Sequence, residues 1–355
     1  MLVSTERKKV MGKWITGDLH VHTRNCKDGT LSVDEIISRS KEYLDFIGIS
    51  GHSYDKPDCF EGQYTEIVEA RKKYPDMPIF HTAEQNFPLQ RHTMFVTLPE
   101  NNEFALQREL VRNFHRQNGH VGREEACAEL RYVKEGWGED KTFMIYNHPN
   151  DPDVPIDDFR TIAKENDVFK VIACVDRGER RAKQTWEIGE EWDTLLCEGY
   201  RLYARCGSDF HKHFSDGGHD YLPGEFVQDH LYVEENTYEE ILHAYREGRF
   251  FCTVGNSIKN PIFTAEKKND GEYLVHLSFT SNVDMEQVDI ISDGKCVCSF
   301  RDIPREFIYD GVLRAEKYFR VRGWGNSIDR KYEDGQYTPQ FILNPIFVSD
   351  CEVKK

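Results

Sequence analysis

The run Lys13-Trp14-Ile15-Thr16-Gly17-Asp18-Leu19-His20-Val21-His22-Thr23 decides the fold. It reads as a β-strand that ends in two histidines. Residues two apart on a strand project from one face, about 6.6 Å apart at roughly 3.3 Å per residue. His20 and His22 can therefore converge on one metal ion. An HxH pair alone is weak evidence for a metal site, so the weight falls on what the other strand ends carry.

Working outward, strands are predicted over 45–50, 78–85, 93–98, 141–147, 169–175 and 202–208. Helical patterns lie between most of them. Val33, Ile36, Ile37 and Leu44 form an apolar stripe opened by a Ser32–Glu35 capping box. Tyr238, Ile241, Leu242 and Tyr245 form another behind Thr237–Glu240, and 104–115 and 191–199 also read as helices. Repeated strand-then-helix order predicts a parallel sheet with helices outside it. About seven strands predict closure into an irregular barrel. After Gly255 helical periodicity nearly stops, and strands are expected over 262–265, 273–281, 288–292, 295–300, 317–323 and 340–348. Turn signals at Asn269-Asp270-Gly271 and Asp293-Gly294 separate some of them. The expected fold class is α/β: a distorted (β/α)7 barrel over 1–257, then a smaller antiparallel β-domain over 258–355.

The ligand-type residues fall at strand ends. His52 follows the second strand, Glu84 ends the third and His92 opens the fourth. His148 ends the fifth in Asn147-His148-Pro149, and Asp209 and His211 end the last in Gly207-Ser208-Asp209-Phe210-His211. In a β/α barrel the C-terminal strand ends build the active site. Buried imidazoles and carboxylates are costly alone, and metal coordination satisfies many together. The mixed nitrogen and oxygen donor set suits Zn, Mn or Fe and disfavours Ca or Mg. His81, His115, His120, His213, His219, His230, His243 and His276 fall outside the pattern and read as surface or structural residues.

Bulk properties set limits. The chain has 355 residues, and 62 Asp+Glu against 46 Lys+Arg give a formal net charge of -16. That balance disfavours nucleic acid and anionic membranes as partners. The first residues lack a signal-peptide pattern and no apolar run would span a bilayer, so a cytoplasmic location is expected. The 10 cysteines are scattered and read as free thiols. There is no GxSxG elbow, P-loop or GxGxxG. The charged stretch 177–192 reads equally as a lid over the barrel mouth or a solvated helix, and Arg320, Arg322 and Trp324 equally as exposed contact residues or as an ordinary strand with an arginine face.

Taken together, 17–23, Lys27-Asp28-Gly29, Ile49-Ser50-Gly51-His52-Ser53, Glu84, His92, 147–149 and 207–211 resemble the motifs of the PHP (polymerase and histidinol phosphatase) superfamily, over roughly 14–257. Trp192-Asp193-Thr194-Leu195-Leu196, Tyr221-Leu222-Pro223-Gly224-Glu225, Glu247-Gly248-Arg249-Phe250-Phe251 and Asn344-Pro345-Ile346 resemble its carbaryl-hydrolase-like (CehA/McbA) branch. The resemblance implies a hydrolase on a distorted seven-stranded β/α barrel with two or three divalent metal ions. His20, His22, Glu84 and Asp209 would hold the first, and Glu84, His92 and His148 the second. His52 and His211, with Asp28, would hold the third. One departure is plain: the second motif usually reads Asp-His, and Gly51 stands before His52 here.

The implied mechanism is attack by a metal-activated water, with no protein nucleophile. Asp28, Asp209 and His211 are candidates to manage protons. Arg177, Arg180, Arg181 and Lys212 are candidates to neutralise a small anionic substrate. Three readings stand: a phosphoesterase on a small phosphate ester, a carboxyl or carbamate ester hydrolase, and a non-catalytic metal-binding or structural protein. The β-domain is expected to bind a substrate tail, close the barrel mouth or form an oligomer.

Overall fold

The structure is a computed structural model describing residues 12–52, 59–85, 92–114, 122–147, 156–165, 167–175, 189–329 and 336–351. Strands β1 (Lys13–Val21), β2 (Phe46–Ile49) and β3 (Ile79–His81) pair in parallel. A second sheet runs in the order β4 (Glu84–Gln85), β5 (Thr93–Thr97), β6 (Thr142–Tyr146), β7 (Phe169–Val175) and β8 (Tyr203–Cys206). Then β9 (Val227–Val233) pairs antiparallel with β1, and β10 (Phe250–Val254) antiparallel with β9. Helices α1 (Val33–Ser40), α2 (Cys59–Lys73), α3 (Glu103–Phe114), α4 (Arg123–Trp137), α5 (Ile156–Glu165), α6 (Gly189–Cys197) and α7 (Tyr238–Glu247) fill the connections.

Local sequence explains several of these boundaries. Ser32 and Glu35 form the reciprocal cap of α1, and the Thr237 hydroxyl accepts the Glu240 N–H at the start of α7. Gly17 lies against Phe46; a β-carbon there would stand 2.1 Å from the Phe46 ring. The missing side chain lets β1 and β2 pair at that point.

The sheets are mixed rather than parallel throughout. β5 is antiparallel to both β4 and β6, whereas β6, β7 and β8 are parallel. The segment expected as one strand over 78–85 breaks at Thr82-Ala83, with β3 in the first sheet and β4 in the second. The chain thus changes sheets at Glu84, whose N–H donates to Ser50 O. At the other junction side chains do the joining. Asn344 Oδ1 accepts the Ala204 N–H at 2.7 Å, and its Nδ2 donates to Ala204 O and Phe250 O. One apolar core, with Phe95, Phe143, Trp192 and Tyr245 among its largest members, lies between the two sheets and their helices.

Beyond residue 257 the chain is almost wholly antiparallel β. β11 (Ile258–Asn269) and β12 (Glu272–Ser281) come first, followed by β13 (Met285–Ser292), β14 (Lys295–Ile303), β15 (Glu306–Arg314) and β16 (Tyr318–Gly325). The short β17 (Ile328–Asp329) and β18 (Gln336–Tyr337) pair with each other, and β19 (Gln340–Phe347) ends the series. β11, β12 and β15 form a separate sheet. β14, β13, β16 and β19 instead extend the first sheet through a β19–β10 ladder, giving the order β14-β13-β16-β19-β10-β9-β1-β2-β3. A second apolar core lies between this half and the three-stranded sheet.

One reading needs correcting. Arg320 is not an exposed contact residue: it is 3% exposed, forms two hydrogen bonds to Asp193 and stacks over Trp192. Trp192 itself is buried in the first core while Glu191 beside it is exposed, and 177–188 of the charged stretch lie outside the described residues. Burying the Arg320 charge is tolerable because the Asp193 carboxylate meets it two-pronged.

Candidate metal centre

β1 ends at Val21, which bridges Phe210, and the His22 N–H donates to Phe210 O at 2.8 Å. The loop after β8 is thereby pressed against the tip of β1. Asp209 adopts φ +48°, a left-handed conformation that Asp tolerates better than most residues. It places the carboxylate beside both histidines. His52 and Glu84 form a parallel bridge just past the end of β2, where β4 begins. His92 precedes β5, and because β5 runs antiparallel, the start of that strand lies with the ends of its neighbours. Reversal of β5 is what lets an opening residue join residues that close other strands.

The donor atoms are crowded. His20 Nε2 lies 3.2 Å from His22 Nε2, 3.1 Å from Glu84 Oε1 and 3.1 Å from Asp209 Oδ1. His22 Nε2 lies 3.4 Å from Glu84 Oε2 and 3.0 Å from Asp209 Oδ1. All four side chains are buried. His52 Nδ1 is 3.2 Å from Glu84 Oε2, and His92 Nδ1 is 3.1 Å from Glu84 Oε1. Toward solvent, Asp28 Oδ2 lies 3.3 Å from His52 Nε2 and 3.4 Å from His211 Nε2. The His22 and His211 rings stack at 4.1 Å. These contacts resolve into three interlocking groups: His20, His22, Glu84 and Asp209; His52, Glu84 and His92; and His22, Asp28, His52 and His211.

The donor set fits divalent cations. Ligands 2.0–2.2 Å from a common metal stand about 2.8–3.6 Å from one another in tetrahedral or octahedral arrangement, and the separations above fall in that interval. Two carboxylates and two imidazoles packed out of water need a positive charge among them. Protons supply part of it. Burial opposes protonation of His22, but Asp209, Cys26 and Glu84 beside it raise its pKa well above the ordinary imidazole value. Burial lowers the pKa of His52, with Asp28 and Glu84 offsetting part of the effect. Burial would raise Asp28, yet His211 and His52 hold it far below the usual carboxylate range. His211 has a defined tautomer. Its Nδ1 lies 2.6 Å from Asp209 O, and a carbonyl only accepts, so Nδ1 carries a proton and Nε2 faces Asp28.

Seven of the eight expected ligands come together. His148 lies outside the described residues, as do Arg177, Arg180 and Arg181. Lys212 is next to His211, but its Nζ lies back over its own loop, 4.0 Å from where a β-carbon on Gly217 would sit. Among the histidines left aside, His81 is buried against Phe60, Tyr64 and Phe104, and His230 stacks on Phe251. His213 bonds Ser215 and Glu225. The eight cysteines with described side chains are free thiols.

Supporting residues were missed in the sequence. Asn147 Nδ2 donates to Glu84 Oε1 at 2.9 Å. Asp18 accepts the N–H groups of His20 and Ser208, so one carboxylate ties the strand carrying His20 to the loop carrying Asp209. Arg205 bonds Asp18 and Asp229, all fully or almost fully buried. Burial pushes the Asp229 carboxyl up to about 6 against the pull of Arg205. An arginine inside the apolar run Leu202-Tyr203-Ala204-Arg205-Cys206 was the available signal.

With this geometry in view, comparison with known proteins adds one finding. No protein-family model matches the chain, and no curated protein matches it. Among solved structures, it is similar to a two-domain protein containing a predicted PHP-like metal-dependent phosphoesterase from Bacteroides vulgatus ATCC 8482. The two are 14% identical with a TM-score of 0.50, over 92% of this chain and 95% of that one. What they share is the fold. Among the described residues, no helix is long and apolar enough to cross a membrane.

Proposed function

We propose that this chain is a metal-dependent hydrolase of the PHP type that cleaves small phosphate esters. The observation that carries the reading is the interlocking of the three donor groups through His22, His52 and Glu84. Shared donors keep neighbouring cations close, as hydrolases that act on esters with more than one metal require. Zn, Mn or Fe in two or three sites would acidify water and polarise the bond to be broken.

The protein's own residues divide the remaining work. His20, His22, Glu84 and Asp209 form the dry floor. Asp28 and His211 stand at the rim, with side chains 47% and 21% exposed, so substrate meets them first. Asp28, kept ionised by His52 and His211, accepts a hydrogen bond from the incoming water and orients it. His211 is held by Asp209 O so that Nε2 stays turned toward that carboxylate. His148 is the further ligand proposed for the His92 group, and Arg177, Arg180 and Arg181 are the cations proposed to neutralise an anionic substrate; all four lie outside the described residues. The phosphoesterase reading is preferred because the structural neighbour carries that description; the CehA/McbA-type motifs favour an ester or carbamate instead.

The test is hydrolysis of p-nitrophenyl phosphate and p-nitrophenyl acetate by protein reconstituted with Mn2+, Zn2+ or Fe2+, alongside His20→Ala/His22→Ala. Phosphate release that depends on added metal and falls at least about 100-fold in the double variant is expected. Turnover of the acetate alone would replace the phosphoesterase reading with the ester hydrolase one. No turnover of either, together with no metal uptake, would leave the non-catalytic reading.

A further inference from the structure

His22 presents Nε2 to the ligand groups, so its other nitrogen must be held by something else. That partner is Cys26, whose Sγ lies 3.8 Å from His22 Nδ1. The same sulfur accepts the backbone N–H of His52 at 3.2 Å. Cys26 is 4% exposed, and its own N–H is fixed to Thr23 O at 2.9 Å. One thiol thus touches two donor residues from strands that are distant in sequence, and both serve more than one of the three groups.

Gly51 makes the space for it. A β-carbon on Gly51 would stand 2.5 Å from Cys26 Sγ and 2.1 Å from Gln63 Oε1. The Gln63 oxygen meanwhile accepts the Gly51 N–H at 3.1 Å. An acidic side chain at 51, as the motif resemblance expects, would collide with both. The glycine and the cysteine are therefore one arrangement, in which a sulfur atom and an amide fill the volume beside His52.

We propose that Cys26 is a positioning residue of the metal centre, orienting the His22 ring through Nδ1 and anchoring the His52 backbone so that both present their donors inward. The proposal rests on the metal-centre reading above. A partner on the non-ligating nitrogen fixes the tautomer and ring angle of a metal-binding histidine, and losing such partners lowers metal affinity roughly 10–100-fold. Sulfur suits the role because its longer contacts span a gap that a serine hydroxyl crosses only with a small shift.

The experiment compares the full-length protein with Cys26→Ala and Cys26→Ser. Mn2+ affinity and stoichiometry are read by calorimetry against a competing chelator, and melting of the metal-free proteins is read in parallel. Mn2+ is chosen because thiolate is a poor ligand for it, so a change reports ring placement rather than loss of a sulfur ligand. In Cys26→Ala the expected result is at least about 10-fold weaker Mn2+ binding with metal-free melting within about 3 °C of wild type. Cys26→Ser should recover most of that affinity, since its hydroxyl offers a donor and an acceptor. Unchanged affinity in Cys26→Ala overturns the proposal. So does a serine variant as weak as the alanine one, or a loss matched by a collapse of metal-free melting, because each makes Cys26 a packing residue only. Wild-type protein that takes up no Mn2+, Zn2+ or Fe2+ overturns the metal centre itself, a failure visible before any variant is compared.

Discussion

Glu84 does more than any other single side chain in this site. Fully buried, it meets His20, His22, His52 and His92 and accepts a hydrogen bond from Asn147. It belongs to two of the three donor groups, whereas Asp28 belongs to one and stands at the rim. Removing the Glu84 charge while keeping its shape should therefore affect more sites. Glu84→Gln is expected to lose two bound metals per chain and weaken any remainder about 10-fold or more, while Asp28→Asn loses at most one. Elemental analysis after gel filtration counts the ions. Equal stoichiometry in the two variants would show that Glu84 bridges nothing. At this scale the sequence was legible for types and places: strand-end histidines and acids converge. It was silent on Cys26 and Asn147, because a thiol and an amide carry no signal until their neighbours in space are known.

At the scale of elements, two strand tips must stay in register for His20 and Asp209 to meet. Asp18, Arg205 and Asp229 hold them there, beneath the donor groups, with the Tyr245 hydroxyl donating to Asp229 at 2.7 Å. Arg205→Met would leave two buried carboxyls without their cation. Breaking a buried pair from one side costs about 3–5 kcal/mol, and both acids would be driven toward the neutral form. Chemical denaturation at pH 7 should show that loss, with recovery as pH falls toward the carboxyl range, because protonated Asp18 and Asp229 no longer need the guanidinium. A loss that does not shrink at lower pH would mean packing, not charge, is at stake. Which elements form was readable where capping and periodicity act locally, as in α1 and α7. The direction of β5 was not, because orientation is set by which strand it pairs with. β9 and β15 escaped notice for related reasons. β9 buries Gln228 and Asp229 within the sheet, and β15 leaves Ile308 and Val312 exposed, so neither shows the alternation expected of a half-buried strand.

For the whole molecule, the texture change near residue 257 marks a change of architecture but not an end of the sheet. β10 alternates between two interiors: Phe250, Cys252 and Val254 face the first core and Phe251 the second. β19 does the same with Ile342 on one side and Phe341 and Leu343 on the other. Asn344 satisfies Ala204 and Phe250 backbone groups, and Arg320 closes on Asp193 and Trp192 of α6. A chain cut after residue 257 would lose all of these. It would bare Phe251, forfeiting about 1.5–3 kcal/mol of burial, and uncover part of Trp14, which keeps its contacts with Tyr232 and Phe251. It would also take the Asn344 side chain from the Ala204 N–H and Phe250 O, at about 1–3 kcal/mol apiece. Those losses together rival the 5–15 kcal/mol by which an ordinary domain is stable. The fragment 1–257 is therefore expected to melt without a cooperative transition and to bind metal poorly. In the intact chain, Asn344→Ala alone should lower the melting temperature by several degrees, about 2–4 °C per kcal/mol at this size. A fragment that melts cooperatively near the temperature of the full protein would mean that the long sheet joins two self-sufficient halves, and that β19 adds nothing β10 needs.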